Sequence, residues 1–182
     1  MIDAFRALGL VPQLDLEDES LRQAFREASK DLHPDAGGGE AEFSELSEAL
    51  AILSSPSRRL RYWLELQGLT VDPRGSIEPA LMDLFTEVGA ATQRAEAIIR
   101  QRDDAKSALG RAMLEQEIQT SRDAIEAANS KVEQWISRQC GNFAEFESGT
   151  LIDVNHASQV LRNLVFLEKW RASLRGCFSR LI

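Results

Sequence analysis

One stretch limits the folds open to this chain more than any other: Leu32-His33-Pro34-Asp35-Ala36-Gly37-Gly38-Gly39. Proline disfavours helix in the residue before it, so a helix arriving from Leu21 ends at about His33. The glycines that follow cannot hold helix without a large loss of backbone entropy. Helical spacing resumes at Glu42 and runs to Leu53. The pattern predicts two helices joined at a tight turn, with His33, Pro34 and Asp35 exposed at its tip. Leu21, Phe25, Ala28 and Leu32 form an apolar stripe on the incoming helix, and Phe43, Leu46, Leu50 and Leu53 form the matching stripe on the outgoing one. Beside the first stripe runs a basic one, Arg22, Arg26 and Lys30, at i, i+4 and i+8.

The charge around that basic stripe is acidic. Residues 1–68 hold 13 acids and 7 bases, net −6, and residues 69–182 hold 16 acids and 14 bases, net −2. Neither part suits a nucleic-acid binder that depends on neutralising phosphates. Against such a background, Arg22, Arg26 and Lys30 can steer an acidic partner surface, and that attraction weakens with salt. The two cysteines, Cys140 and Cys177, make no CxxC and have no histidine at ligand spacing, so neither a metal site nor a cofactor is expected. Each ends an apolar helical pattern and reads as a small hydrophobe. The N-terminus resembles neither a secretory signal nor a transit peptide, and no apolar run approaches the ~20 residues of a membrane span. A soluble cytoplasmic protein is the expectation.

Taken in order, the chain reads as all-α. Asp3 caps a short helix carrying Phe5 and Leu8 that stops at Gly9. After a connector with Pro12, Asp15 is predicted to cap the second helix. Glu17, Asp18 and Glu19 then lie in its first turn, with Asp18 completing an acidic capping box. The third helix spans about Glu40 to Leu53. Ser55-Pro56 starts a fourth, with Leu60, Trp63 and Leu64 inward and Arg58, Arg59 and Arg61 outward, ending near Gly68. Residues 1–68 make the first domain, and 69–76, with Pro73 and Gly75, a linker.

From 77 to 182 the texture changes. Ile77, Leu81, Leu84, Val88, Ala91, Ala95 and Ile98 alternate four and three apart, a seam for antiparallel helix packing. A second long helix, about Asp104 to Gln139, turns Leu109, Ala112, Ile118, Ile125, Ala128, Val132 and Trp135 inward. Gly141 to Gly149 is a break. A third helix carries Val160, Leu164, Leu167, Leu174, Phe178 and Leu181. The expected architecture is an antiparallel three-helix bundle. Some apolar residues are left over from the seams. Met82 and Phe85 lie off the seam, Leu81 sits at its edge, and Phe166 and Trp170 are off the seam of the last helix. Such residues either widen the core or form an exposed cluster that marks a binding surface.

Helix, His-Pro-Asp loop, helix, with a basic stripe on the first, resembles the J-domain family. That resemblance implies a DnaK-class ATPase chaperone as partner, met by Arg22, Arg26 and Lys30 and stimulated by His33, Pro34 and Asp35. A four-helix J-domain followed by a three-helix bundle resembles the HscB-type J-domain co-chaperones of iron–sulfur cluster biogenesis. Local likenesses are Phe5-Arg-Ala-Leu-Gly-Leu-Val-Pro12, Pro56 to Gly68, Ala80-Leu81-Met82-Asp83, and Leu161 to Lys169. This second resemblance implies an HscA/DnaK-class chaperone, and an IscU-type scaffold bound by Leu81, Met82, Phe85 and Phe166. The chain departs from that family in a short segment after Asp35, Ala36 in place of lysine, Thr86 and Gly89 where glutamates are usual, and no N-terminal cysteine motif. His33 lies between Asp31 and Asp35, but no nucleophile or metal set accompanies it, and His156 reads as a helix-start or surface residue. The expected role is an adaptor, not an enzyme. The alternative is a J-domain fused to a bundle that dimerises through the left-over cluster or serves another client.

Overall fold

The computed structural model describes residues 3–30, 39–72, 74–149 and 151–182, and these contain helices but no strand. The helices are α1 (Ala4–Ala7), α2 (Asp18–Ser29), α3 (Glu40–Leu53), α4 (Pro56–Leu66), α5 (Met82–Asp104), α6 (Ala108–Cys140), α7 (Phe143–Ser148) and α8 (Val154–Leu181), with a 3-10 turn, Pro79–Leu81, leading into α5. No helix among the described residues is long and apolar enough to cross a membrane. The chain divides into two compact units, Met1–Arg74 with Cys140–Leu161, and Gly75–Gln139 with Arg162–Ile182.

In the first unit α1, α2 and α4 pack on α3. Phe5, Leu14, Leu21, Leu53, Leu60, Leu64 and Leu161 are its fully buried large side chains. The ends follow the expected chemistry. Asp3 accepts a hydrogen bond from the Arg6 amide at 3.1 Å, and Gly9 closes α1 in the left-handed region with φ +66°. Ser55 Oγ accepts from the Arg58 amide at 3.3 Å, with Pro56 at the first helical position. Phe5 stacks on Tyr62, whose hydroxyl accepts from the Ala4 amide at 3.1 Å and donates to Asp3 at 3.4 Å. Burial pushes this phenol above its ordinary 10.0.

Three expectations fail in this unit. Asp15 does not cap α2, which starts at Asp18 with Glu17 at the cap position and no side-chain cap bond. Leu14 and Leu16 are both buried, and the Leu14 amide donates to the Glu147 carboxylate. Holding those leucines in the core keeps 14–16 out of helix. Arg59 is not outward but 5% exposed. Its Nη1 donates to the Leu53 carbonyl at 2.6 Å, and the guanidinium lies 5.9 Å from the Phe143 ring centre. Phe143 and Phe146 are buried on α7, a helix within the segment predicted as a break. Asp153 caps α8, accepting from the Asn155 and His156 amides at 2.9 and 3.2 Å. The His156 ring meets Phe146 edge-on at 5.4 Å, in the helix-start position expected of it.

The second unit contains α5, most of α6 and α8 from Arg162 onward. Most of the predicted seam is its core: Leu81, Leu84, Val88, Ala91, Ala95 and Ile98 are buried, as are Ile118, Ile125, Ala128, Val132, Leu164, Leu167, Leu174 and Leu181, while Ile77 and Phe178 are half-buried. Leu109 and Ala112 are exceptions, Leu109 being 73% exposed. The cause is where α8 stops: Arg122 Nη2 donates to the Leu181 carbonyl at 2.7 Å, so the turns of α6 before Ile118 lie beyond that end. Trp135 is half-buried and Ile136 takes the inward place. Cys140 and Cys177 are free thiols. Burial pushes the Cys177 thiol up from its ordinary value, in keeping with a small hydrophobe.

Candidate partner-binding sites

The first candidate surface is on α2. His33, Pro34 and Asp35 lie outside the described residues. Arg22, Arg26 and Lys30 are all exposed. The helix pair that carries them is closed by Phe25 of α2 and Phe43 of α3, whose rings meet edge-on at 6.1 Å. The stripe has an internal counter-ion that spacing alone did not reveal. Glu19 Oε1 accepts from Arg26 Nη2 at 2.9 Å, and its other oxygen lies 3.9 Å from Arg22 Nη1. The Arg26 hydrogen bond holds the Glu19 carboxyl below its ordinary value. Two of the three cations thus already share an anion, and an acidic partner must compete with it.

The second candidate surface lies on the second unit. Met82 is 50% exposed, Phe85 51%, Val165 38% and Phe166 37%. Trp170 is not an exposed member of this cluster: it is 7% exposed and forms its floor, 5.8 Å from the Phe85 ring and 6.3 Å from the Phe166 ring. The tryptophan is covered because the two phenylalanines, from α5 and α8, lean over it. Leu81 is fully buried in the 3-10 turn, so it offers a partner no area. Val165, which the sequence pattern did not single out, stands beside Phe166 on α8. Thr86 spends its hydroxyl on the Met82 carbonyl at 3.1 Å, within the first turns of α5. At the flank, Lys131 bonds Glu87 at 2.7 Å. Roughly half of each large apolar side chain faces water, which costs free energy in the isolated protein and is recovered on contact with an apolar partner. Among the described residues no three His, Cys, Asp or Glu side chains gather as a metal set.

Residues 3–62 match the DnaJ domain family. The chaperone protein DnaJ of Lacticaseibacillus casei is 40% identical over 63 residues, 33% of this chain and 16% of that protein. A tetratricopeptide-repeat and J-domain co-chaperone of Cryptococcus neoformans is 42% identical over 60 residues, 33% of this chain and 11% of that protein. The alignments thus span less than a fifth of these relatives' length. Among solved structures, chaperone HscB from Vibrio cholerae matches 98% of this chain and 99% of its own at a TM-score of 0.57 and 21% identity. The likeness to HscB is one of fold, and it extends past the J-domain through the bundle.

Proposed function

We propose that this J-domain protein, whose chain has the fold of HscB, is a co-chaperone that delivers an IscU-type cluster scaffold to an HscA/DnaK-class ATPase chaperone. In this reading α2 meets an acidic face of the chaperone through Arg22, Arg26 and Lys30. His33-Pro34-Asp35 then biases it toward ATP hydrolysis. Met82, Phe85 and Phe166 hold the scaffold, with Trp170 as their support. Binding both partners on one chain raises their effective concentration for each other, so contacts of modest strength suffice for loading. No covalent chemistry is asked of the protein itself.

The observation that carries the reading is the exposed Met82–Phe85–Phe166 cluster on a chain whose residues 3–62 match a DnaJ domain. A J-domain needs a second site if it is to bring a client, and this is the surface with the right chemistry. Single-turnover ATP hydrolysis by a DnaK/HscA-class chaperone tests both ends, measured with and without this protein and with and without an IscU-type scaffold. Stimulation that the scaffold increases is expected. His33→Gln should abolish stimulation while scaffold affinity is unchanged; full stimulation by a folded His33→Gln protein refutes the loop's role. Stimulation indifferent to scaffold refutes the client.

A further inference from the structure

The segment that brings Met82 to the surface has little regular structure of its own. Ser76, Ile77 and Glu78 are irregular and lead into the short 3-10 turn Pro79–Leu81. Its place is fixed instead by polar contacts inside the unit. Asn163 of α8 is 1% exposed. Its Oδ1 accepts from the Glu78 amide at 3.1 Å, and its Nδ2 donates to Glu78 Oε2 at 3.2 Å and to Gln139 Oε1 at 3.3 Å. One side-chain amide therefore grips both the main chain and the carboxylate of Glu78. Gln139, itself 5% exposed, braces it from α6. The same stretch of α8 receives Gly75, where a Cβ would come within 3.3 Å of Arg162 Nε and where φ is +124°, a geometry that favours glycine.

This grip joins the stretches of chain just before the two halves of the candidate client surface. Glu78 is four residues before Met82, and Asn163 is one helical turn before Phe166. We infer that Asn163 is a positioning residue for the client surface: by fixing residue 78 against α8 it keeps Met82 and Phe85 in register with Phe166. The inference rests on the proposed role of that surface. It differs from a purely structural role in what it moves. An amide that only filled the core would, when altered, loosen the whole unit; one that positions α5's entry loosens residues 76–86 and displaces the cluster.

Asn163→Asp in the full chain is the test. It replaces the Nδ2 donor with an oxygen that faces the Glu78 and Gln139 oxygens, while an oxygen remains for the Glu78 amide. Affinity for an IscU-type scaffold should fall about tenfold, the effect of one buried donor lost among acceptors. Glu78→Gln added to Asn163→Asp returns a donor from the other side and should restore affinity to within about threefold. Hydrogen exchange should quicken in residues 76–86 of the single variant, with α5 beyond Val88 unchanged. Should Asn163→Asp not fold, Asn163→Ala is read by the same exchange pattern. Exchange that rises evenly over α5, α6 and α8, or no restoration by Glu78→Gln, overturns the positioning role. Retained scaffold affinity in Asn163→Asp where Phe85→Ser loses it overturns it as well. If both variants bind scaffold as the parent does, yet exchange quickens at 76–86 alone and Glu78→Gln reverses it, the positioning geometry stands and the proposed client falls.

Discussion

Phe85→Ser combined with Phe166→Ser is the most informative perturbation of the client surface. With about 200 Å² for a phenylalanine, exposures of 51% and 37% leave about 100 and about 75 Å² for a partner to cover. At about 25 cal/mol per Å² these areas are worth about 2.5 and about 1.9 kcal/mol. The rigid-body cost of association is the same for parent and variant and cancels in the comparison. Losing both rings should therefore weaken scaffold binding by up to about a thousandfold, with either single change losing a few tens-fold. The covered halves of the same rings rest on Trp170, so the double variant also gives up about 2 kcal/mol or more of stability. A circular-dichroism melt must accompany titration calorimetry against an IscU-type scaffold. Chaperone ATPase stimulation without scaffold serves as an internal control and should be unchanged. A folded double variant whose Kd lies within about twofold of the parent would refute the area argument and the surface with it.

On α2, Arg26→Ala should weaken chaperone docking about two- to fivefold at low salt, with the difference shrinking as salt rises, while Glu19→Gln, which frees Arg26 and Arg22, should act in the opposite direction. Titrations of all three proteins at low and high salt decide it, and no change for either variant refutes a role for the stripe. The raised pKa of Tyr62 means that folding favours its protonated form: the stability this gives is intact below pH 10.0 and is lost as pH climbs through the raised value. Denaturant unfolding of the N-terminal unit at increasing pH should show that loss. Tyr62→Phe should flatten it while lowering the neutral-pH plateau by about 1 kcal/mol for the missing hydrogen bonds. Sedimentation should find a monomer. A stable dimer that protects Met82 and Phe85 from labelling would replace the client reading with a self-interface.

The parts of this fold legible in the sequence are those set by neighbours in the chain. Ser55-Pro56 starts α4 and Gly9 ends α1 because a cap or a left-handed turn needs only local atoms. The Leu84-to-Ile98 seam needs only helical period. The misreadings all depend on distant residues. Asp15 has the chemistry of a cap, but Leu14 is drawn to Glu147. Arg59 looks solvated on its own helix, yet Leu53 and Phe143 give it an interior place. Leu109 has the right phase for the core, but only the end of α8 beside Arg122 decides whether a core exists at its height. Met82, Phe85 and Phe166 were recognisable as apolar residues the seams do not use. That Trp170 lies beneath them was not, because periodicity counts faces and does not see two rings folding over a third.

The first unit's dependence on residues 140–161 bears on how freely a J-domain can be exchanged. The stretch that matches the DnaJ family ends at residue 62, yet the unit built around it takes in α7 and the first turns of α8. Transplanting residues 1–68 alone into another chain would leave the Leu14 amide without Glu147 and the buried Arg59 without the Phe143 ring. Chimaeras that swap this J-domain for that of a DnaJ protein thus have two pieces to respect, the first ending at Arg74 and the second resuming at Cys140. A cassette in the alignment is here an interrupted module in space, and the graft that should keep its melting temperature is the one that carries α7 with it.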